Sequence, residues 1–532
     1  MNSYYVSVLV TIALLATVGI GLNILLGLAG QVSFGHVGFY SIGAYAVAIL
    51  TTKAQWSFWL AWPAAALIAG AAGVLLALPA LRVRGPYLAM ITIAFAFIVE
   101  NVIIESRSLT GGQSGIMGIA SPHIAGLKTE PSIAVLAVAL MMVALWIFVR
   151  IARGPWGAAM RAVRDSETAA ESIGIDPLVV KTVAFGLSAL FAGAAGALFA
   201  PLSGFVTPQT FGFLQSILFV LVVMLGGAGT VTGPLLGALI VGLLPEWLSS
   251  LEDYRLLTFG VMLLIVLWAA PGGVVGALGA ARARWFASTA AGPGAGTHTA
   301  AAAAVESFDE LPQDRRRTLA ARALTMQFGG VRAVDALDFE APAGQVTAVI
   351  GPHGAGKSTV LNMLSGFYRP SAGGFTLGGE PLVGQAANRI ARCGIARSYQ
   401  TSQLFGSLSV AQNIALAMRR GRLGALLGVA GMSAGGVSDL LAWCGYRGAP
   451  QARADSLSHV DRRFVEIARA LATRQAVLLL DEPAAGLSQD DKVQLGELLR
   501  RISDRGVAVV LVEHDMPLVM RASDRIVVLE SG

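Results

Sequence analysis

The chain has 532 residues, more than one ordinary domain needs; 55% of them are hydrophobic and only 13% are charged. In soluble proteins roughly a quarter of all residues are charged, so this composition excludes a wholly soluble protein and indicates a membrane part. The net charge of +6 is modest and the basic residues are scattered, which argues against nucleic acid as a partner. Cys393 and Cys444 have neither metal nor redox spacing, so we expect reduced cysteines in a cytoplasmic half.

The charged residues are concentrated in the second half of the chain. Up to Trp285 there are 13 Lys and Arg and 10 Asp and Glu, against 25 and 22 afterwards. Apolar runs long enough to cross a bilayer core of roughly 30 Å therefore fall in the first half. The first run lacks a basic leader and a cleavage site, so we interpret it as a retained span. The predicted spans, about nine, lie near residues 6–28, 35–52, 57–80, 87–106, 132–151, 178–200, 212–226, 231–247 and 256–270.

Basic residues in short loops predict the orientation of these spans, because such loops stay on the cytoplasmic side. With the basic loops inside, the loop 107–131 and the turn 246–253 lie outside. Counting nine spans back from a cytoplasmic second half also places the amino terminus outside. A missed or re-entrant helix would reverse the amino terminus. The basic residues used are Arg82, Arg84, Arg150, Arg153, Arg161, Arg164, Lys181, Arg282 and Arg284.

The cytoplasmic loop 161–176 has the pattern of a short amphipathic helix bounded by Gly174 and Pro177. Two interpretations remain open for it. It is either a solvated helix beside the membrane, or a lever that docks onto a nucleotide-driven domain.

Three sets of membrane residues also allow two interpretations each. Polar residues near the first span line a route or form hydrogen bonds between helices. A carboxylate and an amide near the end of a span mark a pathway or reach the interface. A proline-rich stretch forms an outer gate or an ordinary turn. The polar residues near the first span are Asn23, Gln31, Ser33 and His36. The carboxylate and the amide are those of Glu100 and Asn101. The proline-rich stretch contains Pro201, Pro208 and Phe211.

Four segments of this half, together with the Ala-Ala-Glu-Ser-x-Gly core of the cytoplasmic loop, resemble the permease subunits of branched-chain amino acid ABC importers. The resemblance covers roughly residues 5–278 and implies branched-chain or related amino acids as cargo. Permeases for urea, short amides and aromatic acids look similar, so these solutes are the alternative. The segments are 21–36, 81–87, 108–112 and 226–234.

The next stretch, to about residue 316, is rich in Ala, Gly and Thr, which predicts a flexible linker that tethers the two halves. We therefore predict a transmembrane permease domain at 1–279, a linker at 280–317 and an ATP-binding domain at 318–532.

The second half contains a complete G-x-x-x-x-G-K-S sequence between an apolar strand at 346–350 and a helix-like run. In this motif glycines let backbone N–H groups face phosphates, the lysine reaches the outer phosphates, and the serine hydroxyl binds Mg²⁺. We therefore predict ATP and Mg²⁺ as cofactors. The phosphate-binding residues are Gly351, Pro352, His353, Gly354, Ala355, Gly356, Lys357, Ser358 and Thr359.

Two carboxylates follow the buried-type strand 477–480, and a histidine follows the apolar run 510–512. With these motifs in this order, residues 318–532 resemble an ABC nucleotide-binding domain, closest to the ATP-binding subunits of the same importers. The resemblance implies that Phe328 stacks on adenine and that Gln400 senses the metal and the γ-phosphate. It further implies that Asp481 holds Mg²⁺, that Glu482 orients or deprotonates the attacking water, and that His514 contacts the γ-phosphate.

One motif departs from the family pattern. Where the family has Ser-x-Gly-Gln, which grasps the ATP of the opposite domain, this chain has Ser458 followed by His459, Val460 and Asp461. A β-branched residue restricts close backbone approach and a carboxylate repels phosphate, so we predict a weakened signature. The hypothesis is a heterodimer in which a partner ATPase supplies an intact signature. Related ATPases continue for another strand and helix, so a truncated end at Gly532 is expected.

The sequence thus predicts an all-α polytopic transmembrane domain followed by an α/β P-loop ABC domain. The predicted function is ATP-driven import of branched-chain or related amino acids across a bacterial inner membrane, with the ATPase domain in the cytoplasm. Its expected partners are a second permease, a second ATPase, an extracytoplasmic solute-binding protein and the lipid bilayer. An exporter and a nucleotide-gated membrane protein without turnover are the other classes considered.

Overall fold

The structure, a computed structural model, describes residues 3–81, 86–124, 128–247, 272–278, 316–428 and 436–530, and six single positions between 257 and 268. The chain divides into two compact units. The first comprises Met1–Arg153 and Leu178–Ala295, and the second Gly154–Pro177 and Gly296–Gly532. Several predictions fall outside the described residues: most of the span 256–270, most of the linker 280–317, and the orientation residues Arg82, Arg84, Arg282 and Arg284.

The first unit is helical, as predicted. A π-helical turn, Asn23–Leu28, continues its first helix. The short strands β1 (Ile116–Met117) and β2 (Phe205–Val206) pair antiparallel. The helices are α1 (Ser3–Leu22), α2 (His36–Thr52), α3 (Phe58–Ala80), α4 (Pro86–Glu105), α5 (Arg107–Thr110), α6 (Thr129–Arg153), α9 (Pro177–Ser203), α10 (Phe213–Gly226) and α11 (Gly233–Trp247); the two helices between α6 and α9, α7 (Pro155–Asp165) and α8 (Glu167–Ser172), belong to the second unit.

The predicted count of about nine spans is not confirmed. In the part of the chain that the structure describes, six helices are long and apolar enough to cross a membrane, and two apolar helices, His36–Thr52 and Gly233–Leu244, are shorter. At ~1.5 Å per residue these two fall short of a bilayer core of roughly 30 Å. The six are Tyr4–Leu28, Phe58–Ala80, Tyr87–Glu105, Thr129–Arg153, Pro177–Ser203 and Pro208–Gly226.

Asn23 and His36 form hydrogen bonds to distant segments of the first unit, which favours the packing interpretation for these two residues. The Asn23 amide donates to the Thr230 carbonyl at 2.8 Å and accepts from the Gly229 N–H at 2.7 Å. His36 Nε2 lies 2.6 Å from Ser188 Oγ, and its Nδ1 lies 3.0 Å from Ser33 Oγ. Such bonds satisfy polar groups that lipid would leave unpaired.

The other polar and proline candidates are placed as follows. Gln31 donates to the Ala29 carbonyl, within its own segment, and the exposed Asn101 donates to Phe97 in its own helix. Glu100 is partly exposed. Pro201 lies inside α9, which corrects its interpretation as a turn residue, whereas Pro208 and Phe211 bound a 3₁₀ turn.

The second unit contains two sheets. A five-stranded parallel sheet has the order β11-β5-β10-β9-β8, and a four-stranded antiparallel sheet has the order β4-β3-β6-β7. This α/β arrangement is the predicted one. The strands are β3 (Leu319–Phe328), β4 (Val331–Ala341), β5 (Val346–Ile350), β6 (Ala372–Leu377), β7 (Glu380–Pro381), β8 (Ile395–Arg397), β9 (Val477–Asp481), β10 (Ala508–Val512) and β11 (Arg525–Val528).

β10 is apolar throughout, β9 is apolar up to its last residue, Asp481, and both strands are buried along their whole length, as is typical of a parallel sheet covered on both faces. All strands of this sheet point the same way, so the segments after β5, β9 and β10 leave it at one edge. The helices of this half are α12 (Lys357–Leu364), α13 (Ala387–Cys393), α14 (Val410–Met418), α15 (Val437–Trp443), α16 (His459–Ala472), α17 (Gln489–Asp504) and α18 (Met516–Ala522).

The cytoplasmic segment Gly154–Pro177, here named the docking loop, belongs to the second unit although it connects α6 to α9. The single helix predicted at 161–176 is corrected to two, α7 (Pro155–Asp165) and α8 (Glu167–Ser172). The break lies at Ser166, whose hydroxyl caps α8 by accepting the Ala169 N–H. A serine cap satisfies a free N–H at the start of the second helix, which favours ending the first one there.

Candidate functional site

The phosphate-binding loop lies between β5 and α12, as the sequence predicts. Gly356 has a φ of 88°, and a Cβ there would lie 2.1 Å from the Ala333 carbonyl oxygen, so only glycine fits. The Lys357 ammonium donates to the carbonyls of Gly351 and Pro352 at 2.8 and 2.9 Å. The lysine is thus held over the loop whose N–H groups would face phosphate.

The predicted metal ligands come from two elements that meet at the sheet edge. The hydroxyl of Ser358, on the first turn of α12, lies 3.5 Å from Oδ1 of Asp481, at the end of β9. Asp481 Oδ2 accepts from Arg397 Nη2 at 3.2 Å, and both side chains are buried. Burial raises the pKa of the Asp481 carboxyl, and the neighbouring Arg397 guanidinium opposes that shift. A hydroxyl beside a carboxylate is a donor set that suits Mg²⁺.

Glu482 is contacted by both other predicted catalytic residues. Gln400 Nε2 donates to Glu482 Oε2 at 2.8 Å, and His514 Nε2 lies 2.5 Å from Glu482 Oε1. Glu482 has a φ of 46°, an uncommon conformation for a residue with a side chain. Such strain costs on the order of 1–3 kcal/mol and clusters at active sites. Two side chains from separate segments therefore meet at one carboxylate.

The predicted adenine-binding residue is exposed, and so are Pro352, His353 and Gly354 of the phosphate-binding loop. Phe328, at the end of β3, is 45% exposed, and its ring centroid lies 5.4 Å from that of Tyr368 in an edge-on arrangement. The ring of His353 lies 4.9 Å from the ring of His514. Ala355 is buried, while Thr359 is partly exposed. An exposed aromatic ring has a free face on which a base can stack.

Ser458 is not brought together with the loop residues in the structure. It caps α16, and its hydroxyl donates to Asp461 Oδ2 at 2.7 Å while accepting the Asp461 N–H at 3.1 Å. The residue that replaces the usual glutamine therefore engages the serine hydroxyl and adds a negative charge at the helix start. This arrangement opposes binding of a phosphate there, because like charges repel.

The docking loop bonds to the segment after β8, residues 398–407, here named the glutamine loop. The Tyr399 hydroxyl donates to the Thr168 carbonyl at 3.1 Å. The Ser166 hydroxyl donates to Gln403 Oε1 at 2.7 Å.

A third contact continues along the same two segments. Asp165 Oδ2 accepts from the N–H and the hydroxyl of Ser407 at 2.8 and 2.6 Å. These bonds favour the lever interpretation of residues 161–176 over a solvated helix.

Sequence reasoning missed two residues beside the site. Arg397 bonds Asp481, and its guanidinium lies 5.1 Å from the centroid of the Tyr399 ring. Burial raises the pKa of the Tyr399 hydroxyl to about 12, so it stays a hydrogen-bond donor. Glu513 accepts the N–H groups of Ala484 and His514 at 2.7 and 3.0 Å. The available signal was a charged residue at the end of a short apolar strand, which needs a buried partner.

Comparisons with known proteins match the two halves separately. Residues 4–267 match the family model of the branched-chain amino acid transport system permease component, and residues 334–485 match the ABC transporter model. The branched-chain amino acid permease protein LivM of Escherichia coli strain K12 is 38% identical over 280 residues, which are 48% of this chain and 66% of LivM. The chain thus spans just under two thirds of LivM.

The ATP-binding half has relatives covered over most of their length. The branched-chain amino acid transport ATP-binding protein BraF of Pseudomonas aeruginosa is 38% identical over 228 residues, 41% of this chain and 89% of BraF. The corresponding protein LivG of Salmonella typhimurium is 36% identical over 225 residues, 40% of this chain and 88% of LivG.

Fold and site together define a nucleotide-binding cassette carried by a multi-pass membrane protein, with the cassette in the cytoplasm. The chain belongs to the ABC transporter family, and it joins a permease half to an ATP-binding half in one polypeptide. Its second half binds nucleotide as a member of that family.

Proposed function

We propose that this chain is a fused permease and ATPase subunit of an importer in a bacterial inner membrane, and that ATP hydrolysis drives uptake of branched-chain or related amino acids. The strongest support is the set of hydrogen bonds between the docking loop and the glutamine loop. They connect a loop of the permease sequence to the segment that contains Gln400, the residue whose side chain donates to Glu482. Both LivM and BraF belong to branched-chain amino acid transport systems, which favours this cargo over urea, short amides or aromatic acids.

For hydrolysis, we assign Glu482 to orient or deprotonate the attacking water, with His514 and Gln400 holding its carboxylate. Ser358 and Asp481 would hold Mg²⁺ together with Gln400, and the ion would neutralise charge on the phosphate oxygens. The loop from Gly351 to Thr359 binds the phosphates, and Phe328 stacks on adenine.

The full importer needs other chains in this proposal. A second permease completes the pathway, and an extracytoplasmic solute-binding protein delivers the solute. A second ATPase with an intact signature completes the nucleotide site at Lys357, because the signature of this chain is altered at Val460 and Asp461. Closure of the two ATPase domains would move the docking loop and so change the access of the pathway.

Uptake into vesicles tests this function. The chain is reconstituted with its partner permease and ATPase, and uptake of branched-chain amino acids, urea, short amides and aromatic acids is measured with and without the binding protein. We expect uptake of branched-chain amino acids that requires ATP and the binding protein, and its loss in Lys357→Ala. Uptake that is the same with and without the binding protein contradicts the proposed import. ATP binding without hydrolysis indicates a nucleotide-gated protein instead.

A further inference from the structure

Three buried charged side chains lie on one face of α16, and none of them belongs to the predicted site. Arg463, Glu466 and Arg469 are each at most 1% exposed, and their spacing of three residues aligns them along the helix. Arg463 Nη1 lies 3.3 Å from Glu466 Oε2, and Arg469 Nη2 lies 4.0 Å from Glu466 Oε1. We name these residues the buried triad. Buried charges are costly unless further hydrogen bonds satisfy them.

The further partners of the buried triad are backbone groups of the glutamine loop. Arg463 donates from its two terminal nitrogens to the carbonyls of Tyr399 and Gln400, at 2.7 and 2.8 Å. Glu466 Oε1 accepts the N–H groups of Tyr399 and Gln403, both at 3.3 Å. The second arginine of the triad donates to the Gln403 carbonyl at 2.6 Å. Side chains of one helix thus hold five backbone groups of a five-residue segment.

The buried triad and the glutamine loop together join the signature motif to the hydrolytic site and the docking loop. At one end, α16 begins at Ser458, the residue of the signature motif. At the other, the side chain of Gln400 contacts Glu482, and that of Gln403 accepts a hydrogen bond from Ser166 of the docking loop. The buried triad is therefore the direct link between the signature helix and the segment that touches both the hydrolytic site and the docking loop.

We propose that the buried triad makes α16 and the glutamine loop move as one body, so that a displacement of α16 on closure of the two ATPase domains is transmitted to the docking loop. These are positioning residues, since they act through the glutamine loop. Charge-assisted hydrogen bonds are roughly twice as strong as neutral ones, and the planar arginine fork fixes the geometry of both acceptors. The inference rests on the proposed function, because transmission presupposes a transporter driven by ATP.

Replacing Arg463 with lysine tests the link without removing the charge. A single ammonium group cannot span both carbonyls as the guanidinium does, so the glutamine loop loses one of its anchors. In vesicles containing the complete assembly, we expect Arg463→Lys to bind ATP as the wild type does but to transport about tenfold fewer solute molecules per ATP hydrolysed. A residue needed only for folding would lower binding, hydrolysis and uptake together and leave this ratio unchanged.

Arg500→Lys is the matched control. Its guanidinium bonds Asp524 and the Ser523 carbonyl, so the same chemical change is made where the glutamine loop is untouched. We expect its solute-to-ATP ratio to equal that of the wild type. Arg469→Lys serves as the second triad variant if Arg463→Lys does not fold, with the same lowered ratio expected from the lost Gln403 contact.

Amide hydrogen exchange on the same assemblies measures the anchoring itself. The N–H groups of Tyr399 and Gln403 are expected to exchange at least tenfold faster in the triad variants, while those of β9 and β10 stay protected. If the wild-type assembly shows no ATP-dependent uptake of any solute, the proposed function is contradicted, and so is this inference. A transporting wild type whose triad variants keep both the ratio and the exchange rates overturns the inference alone.

Discussion

The Glu482 carboxylate is positioned by neighbouring side chains as well as by its own backbone. Its carboxylate sits in a strained backbone position and is held from two sides by Gln400 and His514. These contacts fix the orientation of the two carboxylate oxygens. The same orientation would be kept when the carboxylate accepts a proton from the attacking water.

Replacing Glu482 with glutamine should separate binding from hydrolysis. The amide keeps the shape but cannot accept a proton, so we expect hydrolysis at this site to fall by about 10²–10⁴-fold while ATP binding is retained. Phosphate release and binding of a fluorescent nucleotide measure the two steps. Glu497→Gln, on the exposed face of α17, is the control and should change neither. Unchanged hydrolysis at this site would remove Glu482 from its proposed role.

Asp515 gives a prediction about pH. Its Oδ2 accepts from Lys492 Nζ at 2.6 Å and its Oδ1 caps α18 through the Leu518 N–H at 3.0 Å. The hydrogen bond from Lys492 holds the pKa of the Asp515 carboxyl below its usual range. A lowered folded pKa means that the stabilisation is present above the unfolded pKa and is lost as the pH falls through the folded one.

We therefore expect Asp515→Asn to lower the free energy of unfolding at pH 7 by roughly 0.2–1 kcal/mol, since the charge of a partly exposed pair is lost while asparagine still caps the helix. The difference from the wild type should shrink as the pH falls below about 3.9, the usual aspartate pKa, and vanish once the pH is below the lowered pKa of the folded state. Unfolding midpoints of the purified chain across this range measure it. Asp504→Asn, at the exposed end of α17, is the control, and a difference that persists in acid would contradict this origin.

At the scale of elements, the π-helical turn Asn23–Leu28 meets the glycine-rich loop that follows α10. Asn23 bonds both Gly229 and Thr230 across more than 200 positions of sequence. The closeness of this contact depends on Gly27, where a Cβ would lie 2.2 Å from Asn23 Oδ1 and 2.3 Å from the Gly229 nitrogen. Small residues let such backbones approach within a membrane.

The variant Gly27→Ala should force these segments apart. Overpacking of this kind typically costs about 1–3 kcal/mol, so we expect a lower thermal midpoint for the detergent-purified chain. Gly276→Ala is the matched control, because a Cβ at Gly276 meets no described atom within 4 Å. If both variants unfold at the wild-type temperature, the close contact at Gly27 does not contribute to stability.

At the scale of the whole molecule, the altered signature makes two nucleotide sites unequal in the proposed dimer. The start of α16 presents Val460 and the Asp461 carboxylate, and the latter holds the Ser458 hydroxyl. In that dimer the altered signature lowers binding at the site formed with the partner's phosphate-binding loop, whereas the site at Lys357 uses the partner's signature.

Restoring the family residues should therefore raise hydrolysis at the partner's site. We expect the double variant Val460→Gly with Asp461→Gln to increase ATP turnover severalfold in an assembly whose own site is blocked by Glu482→Gln, because the repulsive charge and the branched side chain are removed. Steady-state phosphate release measures this. Equal and complete loss of turnover from Glu482→Gln and from the partner's equivalent variant would contradict the asymmetry.

The sequence by itself determined the elements whose signal is local. The order of strand, glycine-rich loop and helix around Lys357 predicted its phosphate-binding geometry, because backbone conformation there depends on nearby residues. The apolar run before Asp481 likewise predicted a buried strand that ends in carboxylates. Helix positions in the membrane half were predicted from length and hydropathy, although the count of nine spans was not confirmed.

Only the tertiary structure decided which distant residues meet. Nothing in the local pattern pairs Arg397 with Asp481, Asn23 with Gly229, or the docking loop with the glutamine loop, since these contacts join segments far apart in the chain. Likewise, the buried arginines of α16 find their hydrogen-bond partners in the glutamine loop, more than 50 positions earlier in the chain. Burial and hydrogen-bond partners are properties of packing, and one strand or helix alone does not contain them.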